Sequence, residues 1–432
     1  MHEQSTFGKM NWDVAVIGAG PAGMMAAGFA ARGGARTLLI EKNDRPGKKL
    51  NITGKGRCNI TNDMDIYDFF DHFGRNGRFL HQALGSFSNQ DLRDFLRKIG
   101  VETVVERGGR IFPANGDATH VTIQLETWLR AMHVSFLFDN AVISVQVNQG
   151  NTQSPFKITL LDNEVISSRC LVIATGGVSY PKTGSSGDGL RWAQQLGHAI
   201  VPLQPALVPL KTGGDQAKKL QGLPLRNARI RIFADGKTIA DEFGEMLFTH
   251  FGVSGPIILT LSKTIVKNIE QGKKITMCID LKPALDHSKL DARLLREIDN
   301  HGKQQFHTML KRLLPQKMIA VCMEHTAIPF NKPLHQINAQ ERQKVIEFLK
   351  DFRMIITGAL PIETGMVTAG GVSLKEVDPK TMQSSILTGL FFAGEVLDID
   401  ADTGGFNLQA AFSTGRMAGL HAAQCSQNLS QP

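Results

Sequence analysis

The sequence has few cysteines, and no two of them are close together. Its 432 residues include five, without CxxC or CxxxxC spacing: Cys58, Cys170, Cys278, Cys322 and Cys425. An odd number of scattered cysteines excludes a disulfide framework and a zinc ribbon. It also argues against a dithiol reductase, which needs two thiols close together. We therefore expect a reducing compartment and no metal site.

The sequence also lacks a secretion signal and a clear membrane span. The first twelve residues, MHEQSTFGKMNW, contain no apolar core, so we expect a cytoplasmic protein. Residues 14–31 run for 18 residues without a charge, which is long enough to suggest a membrane helix. A proline and four glycines in this window indicate a buried strand, turn and helix instead.

Tyrosine is scarce, whereas glycine is abundant. Two tyrosines stand against 24 phenylalanines, so phenolic proton donors are few. With 48 Lys and Arg against 40 Asp and Glu, the chain has a net charge of +8. This charge is compatible with an anionic cofactor, a nucleic-acid substrate or solvated lysines. The 43 glycines are about a tenth of the chain, above the usual ~7%.

The glycines first cluster in a nucleotide-binding motif. Residues 12–17 (WDVAVI) predict a buried strand that runs directly into GAGPAG, with glycines at all three G-x-G-x-x-G positions. These glycines permit a tight turn, a close approach of backbone to a pyrophosphate and close helix packing. The next helix presents its N-terminus to the phosphates. The predicted pyrophosphate-binding residues are Gly18, Gly20, Pro21, Ala22 and Gly23.

A second predicted strand, residues 36–40, ends at Glu41, 23 residues after Gly18. An acidic side chain at this position hydrogen-bonds ribose hydroxyls and disfavours a 2′-phosphate. The motif therefore favours FAD or NAD over NADP and does not separate the first two.

Two further glycine-rich loops are candidates for the same ligand. The stretch KNDRPGKKLNITGKGRCNITN after Glu41 carries six Lys and Arg against one Asp, and it can wrap a diphosphate or be a solvated basic loop. A later predicted strand ends in ATGG, a second turn of close approach. The predicted cofactor-binding residues of these segments are Lys42, Lys49, Gly54, Gly56, Thr175 and Gly176, and Val142 in the segment AVISVQV is predicted to bind the cofactor as well.

Residues 134–175 alternate in polarity and predict a three-stranded meander (VSFLF, AVISVQV, PFKITLL) followed by a return strand, CLVIATGG. From about residue 201, short antiparallel strands follow (ARIRIFA, KTIADEF, GEMLFTH, KITMCIDL), and then helices. Ser254 and Pro256 predict the cap and first turn of a helix beginning near Ile257. Residues 201–355 are thus predicted to be an insertion into the nucleotide-binding domain.

The C-terminal segment returns to that domain. FFAGE predicts a buried strand ending in Gly394 and Glu395, and TGGFN then leads into a helix of small residues. This layout is typical of the second motif of two-motif FAD proteins, where an acid contacts the ribityl chain and a helix N-terminus faces the flavin pyrimidine. A simple NAD dehydrogenase has no need of it, so we predict FAD. The predicted contacts are Gly394, Glu395, Gly405, Phe406, Asn407 and Leu408.

Five blocks resemble one family of bacterial two-motif FAD-dependent oxidoreductases, the BaiN/RdsA type, which includes bile-acid ene reductases and dihydrouridine-forming reductases of ribosomal RNA. The blocks span nearly the whole chain in order: GAGPAG, PGKKLNITGKGRCNITN, GRIFP, FGEMLFTHFGVSGP and FFAGEVLDIDADTGGFNLQAAFSTG. By position, the resemblance places Arg57, Cys58 and Asn59, with residues 404–408, towards the isoalloxazine. Lys55 stands where relatives often carry glycine, and its role is open.

The resemblance implies an α/β fold, with a Rossmann-like two-motif FAD-binding domain, an inserted antiparallel β-rich, barrel-like domain and a small helical subdomain. The predicted boundaries are 1–200 and 356–432 for the FAD-binding domain, 201–288 for the β-rich domain and 289–355 for the helical subdomain.

The expected chemistry is hydride transfer from flavin N5 to an activated C=C bond, with an acid protonating the other carbon. The candidate acids are Cys58, His250 and Tyr180, although Cys58 also fits simple packing and His250 a turn cap. Tyr67 lacks such a context, and Arg110 either meets an anionic substrate or lies on the surface. No second G-x-G-x-x-G is present, so NAD(P)H would bind transiently or another donor acts.

Three functions remain: a ribosomal-RNA uridine reductase, an ene reductase of a small or steroid-like enone, and a non-catalytic FAD-binding protein. The retained TGGFN block argues against the third. The family resemblance and the net charge tilt the choice to RNA. Part of that charge lies in the basic loop beside the cofactor phosphates, which weakens the support. An electron donor and ribosomal RNA are the predicted partners, and no membrane is expected.

Overall fold

A computed structural model describes residues 11–148 and 155–429. By its internal contacts the chain forms two compact units, each with its own hydrophobic core. The first unit comprises Met1–Pro205 and Ile362–Pro432, and the second comprises Ala206–Pro361.

The strands of the described residues are numbered in chain order. They are β1 Asn11–Ile17, β2 Thr37–Ile40, β3 Thr61–Asn62, β4 Thr103–Glu106, β5 Arg110–Pro113, β6 Ser135–Leu137, β7 Val142–Val147, β8 Phe156–Leu160, β9 Val165–Ile173, β10 Ile200–Ala206, β11 Leu210–Thr212, β12 Pro224–Ala234, β13 Lys237–Phe248, β14 Gly252–Ser254, β15 Ile275–Asp280, β16 Phe352–Ala359, β17 Val367–Val372 and β18 Leu390–Phe392.

The α-helices are numbered in the same way. They are α1 Pro21–Arg32, α2 Lys48–Ile52, α3 Ile66–Phe69, α4 His81–Ser86, α5 Asn89–Lys98, α6 Ala118–Ala131, α7 Asp188–Gln195, α8 Gln216–Lys219, α9 Pro256–Glu270, α10 His287–His301, α11 Phe306–Leu313, α12 Gln316–Thr326, α13 Ala339–Lys350 and α14 Phe406–Asn428.

A parallel sheet of order β6-β2-β1-β9-β18 forms the centre of the first unit. Its inner strands are continuous apolar runs, as expected for strands that are buried on both faces. Ile173 pairs with Ile17 on one side and with Phe392 on the other, so β1, β9 and β18 end at the same level. The loops that follow these three strands therefore meet at one edge of the sheet, where ligands bind in open α/β sheets.

The predicted meander is wrong in one strand. β6, which covers part of VSFLF, pairs in parallel with β2, whereas the antiparallel meander is β7, β8 and β9. The first half of β9 pairs with β8 and its second half with β18, so one strand is both the third meander strand and the return strand. Alternating polarity identifies strands but does not specify their partners, which explains the error.

The two nucleotide-motif helices of the first unit pack backbone to backbone. A Cβ added at Gly415 of α14 would lie 2.2 Å from the carbonyl oxygen of Ala22 in α1. One turn further along both helices, a Cβ at Gly419 would lie 2.2 Å from the carbonyl oxygen of Ala26. These paired contacts show that α1 and α14 run in the same direction, and only glycine permits their close approach.

The second unit contains a closed antiparallel barrel of order β11-β14-β13-β12-β15-β16. Alternate residues of β12 enter its core, including Ile230 and Ile232, while Arg229, directly before Ile230, is exposed. Helices α10 to α13 contribute to the same hydrophobic core as the barrel. The fold class predicted from the sequence, α/β with an inserted antiparallel barrel, is confirmed.

Two local predictions in the second unit are wrong. KTIADEF and GEMLFTH are not two strands, because β13 runs through both of them from Lys237 to Phe248. Ser254 does not cap α9, since it belongs to β14 and the cap is Gly255, with φ +98 and no side-chain hydrogen bond. A Cβ at Gly255 would lie 2.8 Å from the Cα of Met246, so the tight packing here selects glycine.

No helix among the described residues is long and apolar enough to cross a membrane. The uncharged window at 14–31 forms β1, a turn and α1, as predicted.

We expect Gly419→Ala to destabilise the first unit, although alanine is the better helix former by about 1 kcal/mol. The added methyl would meet the backbone of α1, and such overpacking typically costs about 1–3 kcal/mol. The urea-unfolding midpoint should therefore fall. Gly85→Ala is the matched control, because Gly85 lies exposed in α4 with nothing within 4 Å of its Cβ position. A Gly419→Ala midpoint equal to that of the wild type would contradict the contact.

Candidate functional site

The turns after β1 and β9 pack against each other at the carboxyl edge of the sheet. Gly18 has φ +102, and a Cβ there would lie 2.6 Å from the carbonyl oxygen of Ala174. A Cβ at Gly23 would lie 1.7 Å from the carbonyl oxygen of Gly18. The packing of the protein itself thus requires two of the three motif glycines.

The third motif glycine, Gly20, faces open space. Nothing lies within 4 Å of its Cβ position. It also caps α1, with Pro21 as the first helical residue, no side-chain cap and no acid in the first turn. The N–H groups of a first turn lack intrahelical acceptors. Since no protein group occupies the space beside Gly20, the start of this helix fits a bound pyrophosphate, and the contacts of Gly20, Pro21 and Ala22 with it stay predictions.

Glu41 lies directly beside this turn, at the end of β2. Its Oε2 accepts a hydrogen bond from the N–H of Ala19 at 2.8 Å, and its Oε1 accepts from the Asn43 side chain at 2.6 Å. Two carboxylate oxygens have lone pairs left for further donors. Val142, at the start of β7, is buried, and the nearby Asn140 N–H donates to the Glu41 carbonyl at 3.4 Å. The turn after β1 and the start of β7 therefore both lie beside Glu41. These are segments that the sequence predicts to contact FAD.

A buried hydroxyl of the β9 turn has no protein partner. Thr175 Oγ1 makes no hydrogen bond within the described part of the chain, and a Cβ at Gly189 would lie only 2.1 Å from it. The next residue, Gly176, has φ +73. Buried polar atoms are rarely left unsatisfied in native proteins. The orphaned hydroxyl is therefore a second point at which this edge fits a polar ligand.

The two lysines predicted to bind the cofactor make ion pairs within the protein. Lys42 Nζ lies 2.9 Å from Asp188 Oδ2, and Lys49 Nζ lies 2.7 Å from Glu395 Oε2. Lys49 also contacts Ser179 Oγ at 2.5 Å. These lysines organise the loops around the edge, and direct contacts with the cofactor remain predictions for both.

Glu395 joins three segments of the first unit, which are α2, the loop after β9 and β17. Besides Lys49, its Oε1 accepts hydrogen bonds from Ser179 Oγ at 3.0 Å and from the Thr368 N–H at 2.8 Å. Ser179 and Thr368 are both fully buried. Sequence reasoning missed these two residues, because they are 216 and 27 positions from Glu395 and no local motif marks them.

The two most specific sequence blocks meet in one turn. A Cβ at Gly405 would lie 2.4 Å from the carbonyl oxygen of Thr61, and Asn62 Nδ2 donates to the Gly404 carbonyl at 3.2 Å. Asn59, with its amide oriented to satisfy both groups, donates to the Thr61 carbonyl at 3.2 Å and accepts from the Gly405 N–H at 3.1 Å. The GKGRCN-x-TN block therefore holds the TGGFN turn at the start of α14.

The same turn is braced from its other side by Asn407. Its Oδ1 accepts from the Ala401 N–H at 2.9 Å and its Nδ2 donates to the Ala401 carbonyl at 2.9 Å. Gly405 caps α14 with φ +103, without a side-chain cap and without an acid in the first turn. The N–H groups of Phe406, Asn407 and Leu408 thus belong to an uncapped helix N-terminus, which favours nearby negative charge.

Residues 54–58 adopt an unusual backbone. Gly54 and Gly56 have φ +57 and +84, and Lys55 has φ +60, with an exposed side chain. The left-handed backbone explains why glycine is suited to position 55. Arg57 forms an ion pair with Glu106, and its guanidinium lies 4.3 Å from the ring centroid of Phe112, so it contacts the strands β4 and β5.

The three candidate acids lie in different settings. Cys58 is fully buried, and burial raises the pKa of its thiol to about 12, which favours packing over proton donation. Tyr180 is 36% exposed, with φ +51, in the loop after the β9 turn. His250 belongs to the second unit and packs edge-on against Phe251.

A fourth acid was missed by sequence reasoning. His72 Nδ1 lies 3.0 Å from Asp402 Oδ2, and the imidazole stacks on the ring of Phe406 at 3.9 Å and 12°. Its side chain is 29% exposed. The pair thus adjoins the first residue of α14. Nothing local in the sequence identifies it, because the partners are 330 residues apart.

Two of the scattered cysteines are neighbours in space. Cys170 in β9 and Cys425 in α14 are joined by a thiol hydrogen bond, which lowers the pKa of Cys425 and raises that of Cys170. Distance along the sequence therefore does not keep all five thiols apart in the fold. Cys425 is near the C-terminal end of α14, nearly the whole helix away from the TGGFN turn, so the pair lies outside the candidate site.

Residues 12–421 match the family described as HI0933-like protein Rossmann domain. The chain belongs to this family. It is 30% identical to the 3-dehydro-bile acid delta(4,6)-reductase of Clostridium scindens over 413 residues, covering 95% of this chain and 99% of that protein. It is 31% identical to the ribosomal RNA dihydrouridine synthase of Escherichia coli over 419 residues, covering 97% and 98%.

Solved structures share the fold at lower identity. A flavocytochrome c3 fumarate reductase matches with a TM-score of 0.52 and 16% identity, over 96% of this chain and 78% of that chain. A 3-ketosteroid delta1-dehydrogenase from Sterolibacterium denitrificans matches with a TM-score of 0.52 and 13% identity, over 96% and 99%. The predicted family, the class of FAD-dependent oxidoreductase and FAD as cofactor are confirmed, and the non-catalytic alternative is set aside. NAD(P)H as donor remains a prediction.

Gly20→Ala should weaken FAD binding without affecting the fold. Its methyl would enter open space at an ordinary backbone φ of −78°, where we expect the pyrophosphate to lie. A loss of about 1.4 kcal/mol corresponds to a tenfold higher Kd for FAD, measured by titration of the apoprotein. The melting temperature of the apoprotein should not change. By contrast, Gly23→Ala should lower that temperature, because its Cβ would clash with Gly18. An unaltered Kd for Gly20→Ala would contradict the placement.

Cys425 and Cys58 should differ in their rates of alkylation in the native protein. At about pH 8, the lowered pKa of Cys425 leaves more reactive thiolate, whereas Cys58, with its pKa near 12, stays protonated and buried. Mass spectrometry after brief iodoacetamide treatment should find Cys425 labelled and Cys58 unlabelled, with both labelled in urea as the control. Labelling of Cys58 as fast as Cys425 would restore it as a candidate acid.

Proposed function

We propose that this FAD-dependent oxidoreductase reduces an activated C=C bond, and that the substrate is uridine in ribosomal RNA. One observation supports the reductase chemistry above the others: two uncapped helix N-termini, of α1 and α14, belong to one rigidly packed helix pair. Ala22 is level with Gly415, so the first turn of α14 precedes that of α1 by eight residues, or about 12 Å. This arrangement fits two separated polar parts of one dinucleotide.

The residues divide the work along the cofactor. Gly20, Pro21 and Ala22 would hold the pyrophosphate, and Glu41 the ribose hydroxyls. The first turn of α14 would place N–H groups beside the pyrimidine edge of the flavin, where they favour negative charge. When bound, FAD supplies the hydride at N5. The Glu395 network, with Ser179 and Thr368, fixes the loops that enclose this region.

We propose that His72 is the proton donor. Tyr180, His250 and Cys58 are the alternative candidates from the sequence. Asp402 fixes the orientation of the His72 ring through Nδ1, while Nε2 has no hydrogen-bond partner among the described residues. Stacking on Phe406 keeps the ring beside the start of α14. A fixed imidazole with one free nitrogen is suited to pass a proton to a substrate carbon.

Two observations support RNA as the substrate, the net charge and one relative of near full length. The net charge of +8 favours a polyanionic substrate, and a relative of near full length is a ribosomal RNA dihydrouridine synthase. A relative of equal similarity is a bile-acid reductase, so an enone remains the second candidate.

Anaerobic reoxidation of the reduced protein separates these substrates. The purified holoenzyme is reduced, and its flavin absorbance is followed after addition of unmodified ribosomal RNA or of a steroid enone. We expect RNA to restore the oxidised spectrum and to gain dihydrouridine, detected by mass spectrometry. Reoxidation by the enone and not by RNA would reject uridine as the substrate, and reoxidation by neither would reject the proposed chemistry.

His72→Gln should slow this reoxidation by about 10²-fold or more, the usual contribution of a positioned acid, while reduction of the flavin by the donor is unaffected. His81→Gln is the matched control, because His81 also stacks on a phenylalanine, Phe70, at 3.9 Å. Tyr180→Phe and His250→Gln test the other candidates in the same assay. Equal rates for His72→Gln and His81→Gln would remove His72 from the mechanism.

A further inference from the structure

An open groove of about 750 Å³ lies on the second unit. β12 and β13 line one side, and the segment between β15 and α10, with α10 itself, lines the other. Its lining residues are Asn227, Arg229, Phe243, Leu281, Lys282, Pro283, Ala284, Leu285 and Arg293. Three of them are cationic and none is acidic.

The cations of the groove are not equally neutralised. Arg229 forms a two-point ion pair with Asp241, at 2.7 and 3.0 Å. Lys282 and Arg293 have no carboxylate partner within the described residues. Asp280, the acid closest to Lys282 in sequence, is paired with Lys350 at 2.6 Å. Two unpaired, partly buried cations thus share one wall.

The proximity of these two cations has a measurable electrostatic effect. Partial burial, and then the charge of Arg293, lower the pKa of Lys282. An anion bound between the two side chains would relieve this repulsion. The wall that carries Lys282 is well fixed, because Lys350 Nζ also donates to the carbonyl oxygens of Lys282 at 3.0 Å and Leu285 at 2.6 Å.

The groove also presents an aromatic ring to solvent. Phe243 on β13 is 57% exposed. An exposed ring beside unpaired cations is the combination that binds single-stranded nucleic acids, with bases stacking on the ring and phosphates meeting the cations. An acidic peptide would use the charges but would gain little from the ring.

We propose that this groove binds single-stranded RNA, with a base on Phe243 and backbone phosphates at Lys282 and Arg293. The inference rests on the proposed function for its role, since it names the surface by which an RNA substrate is held. The groove contributes affinity for RNA and takes no part in the flavin chemistry.

The test uses the full-length holoenzyme and a labelled, uridine-rich oligoribonucleotide, with Kd measured by fluorescence anisotropy at several salt concentrations. Removing both charges, in Lys282→Gln/Arg293→Gln, should reduce the slope of log Kd against log salt by about 1.4, since each lost contact with a single strand contributes about 0.7. Phe243→Ala should raise Kd about tenfold at unchanged slope.

Lys237→Gln/Arg296→Gln is the matched control, because it removes the same charge from exposed positions outside the lining of the groove. It should leave both the slope and Kd as in the wild type. Equal salt slopes for the groove and control variants would overturn the proposal. So would competition by polyglutamate as effective as that by polyuridylate, because the groove would then be a general anion site.

The outcome is distinguishable from failure of the proposed function. If wild-type RNA binding depends on the groove but reduced flavin is not reoxidised by RNA, the groove stands and the uridine substrate fails. If RNA reoxidises the flavin and all the variants bind RNA equally, the substrate stands and the groove fails.

Discussion

The backbone contact between α1 and α14 fixes the offset between the N-termini of the two helices that we propose to face the cofactor. Gly415 and Gly419 let α14 lie directly on the carbonyl groups of Ala22 and Ala26, so the two helices are locked in register. The GAGPAG turn leads into α1 and the TGGFN turn leads into α14. Because glycine stands in α14 at both contacts, the backbones of the two helices meet directly there, and this contact fixes the offset between the two N-termini.

The second constraint is the bracing of the TGGFN turn. Asn59, Asn62 and Asn407 satisfy the backbone groups around residues 401–405, and Thr61 leaves no room for a Cβ at Gly405. Two blocks that are more than 340 residues apart thus form one structural unit. Rigid turns of this kind allow N–H groups to be oriented before the ligand arrives, which reduces the cost of binding.

Local chemistry made much of this site predictable, and long-range pairing limited the rest. Gly18, Gly20, Gly23 and the strand ending at Glu41 form a contiguous motif, so their placement followed from spacing alone. The Lys49–Glu395 pair, the His72–Asp402 pair and the contact of Cys170 with Cys425 join distant segments, and no single-sequence pattern encodes them. The misassigned β6 and the undivided β13 have the same origin, since polarity patterns do not specify strand partners.

The most direct test of the central claim is the identity of the ligand that the folded chain retains. The protein, supplied with FAD and freed of excess ligand, is denatured with acid, and the released cofactor is identified and quantified by chromatography. We expect FAD, in a ratio of one per chain, because the N-termini of α1 and α14 are proposed to face two separate parts of one dinucleotide, its pyrophosphate and its flavin. Release of FMN or NAD instead, or of no nucleotide from correctly folded protein, would contradict the proposed arrangement.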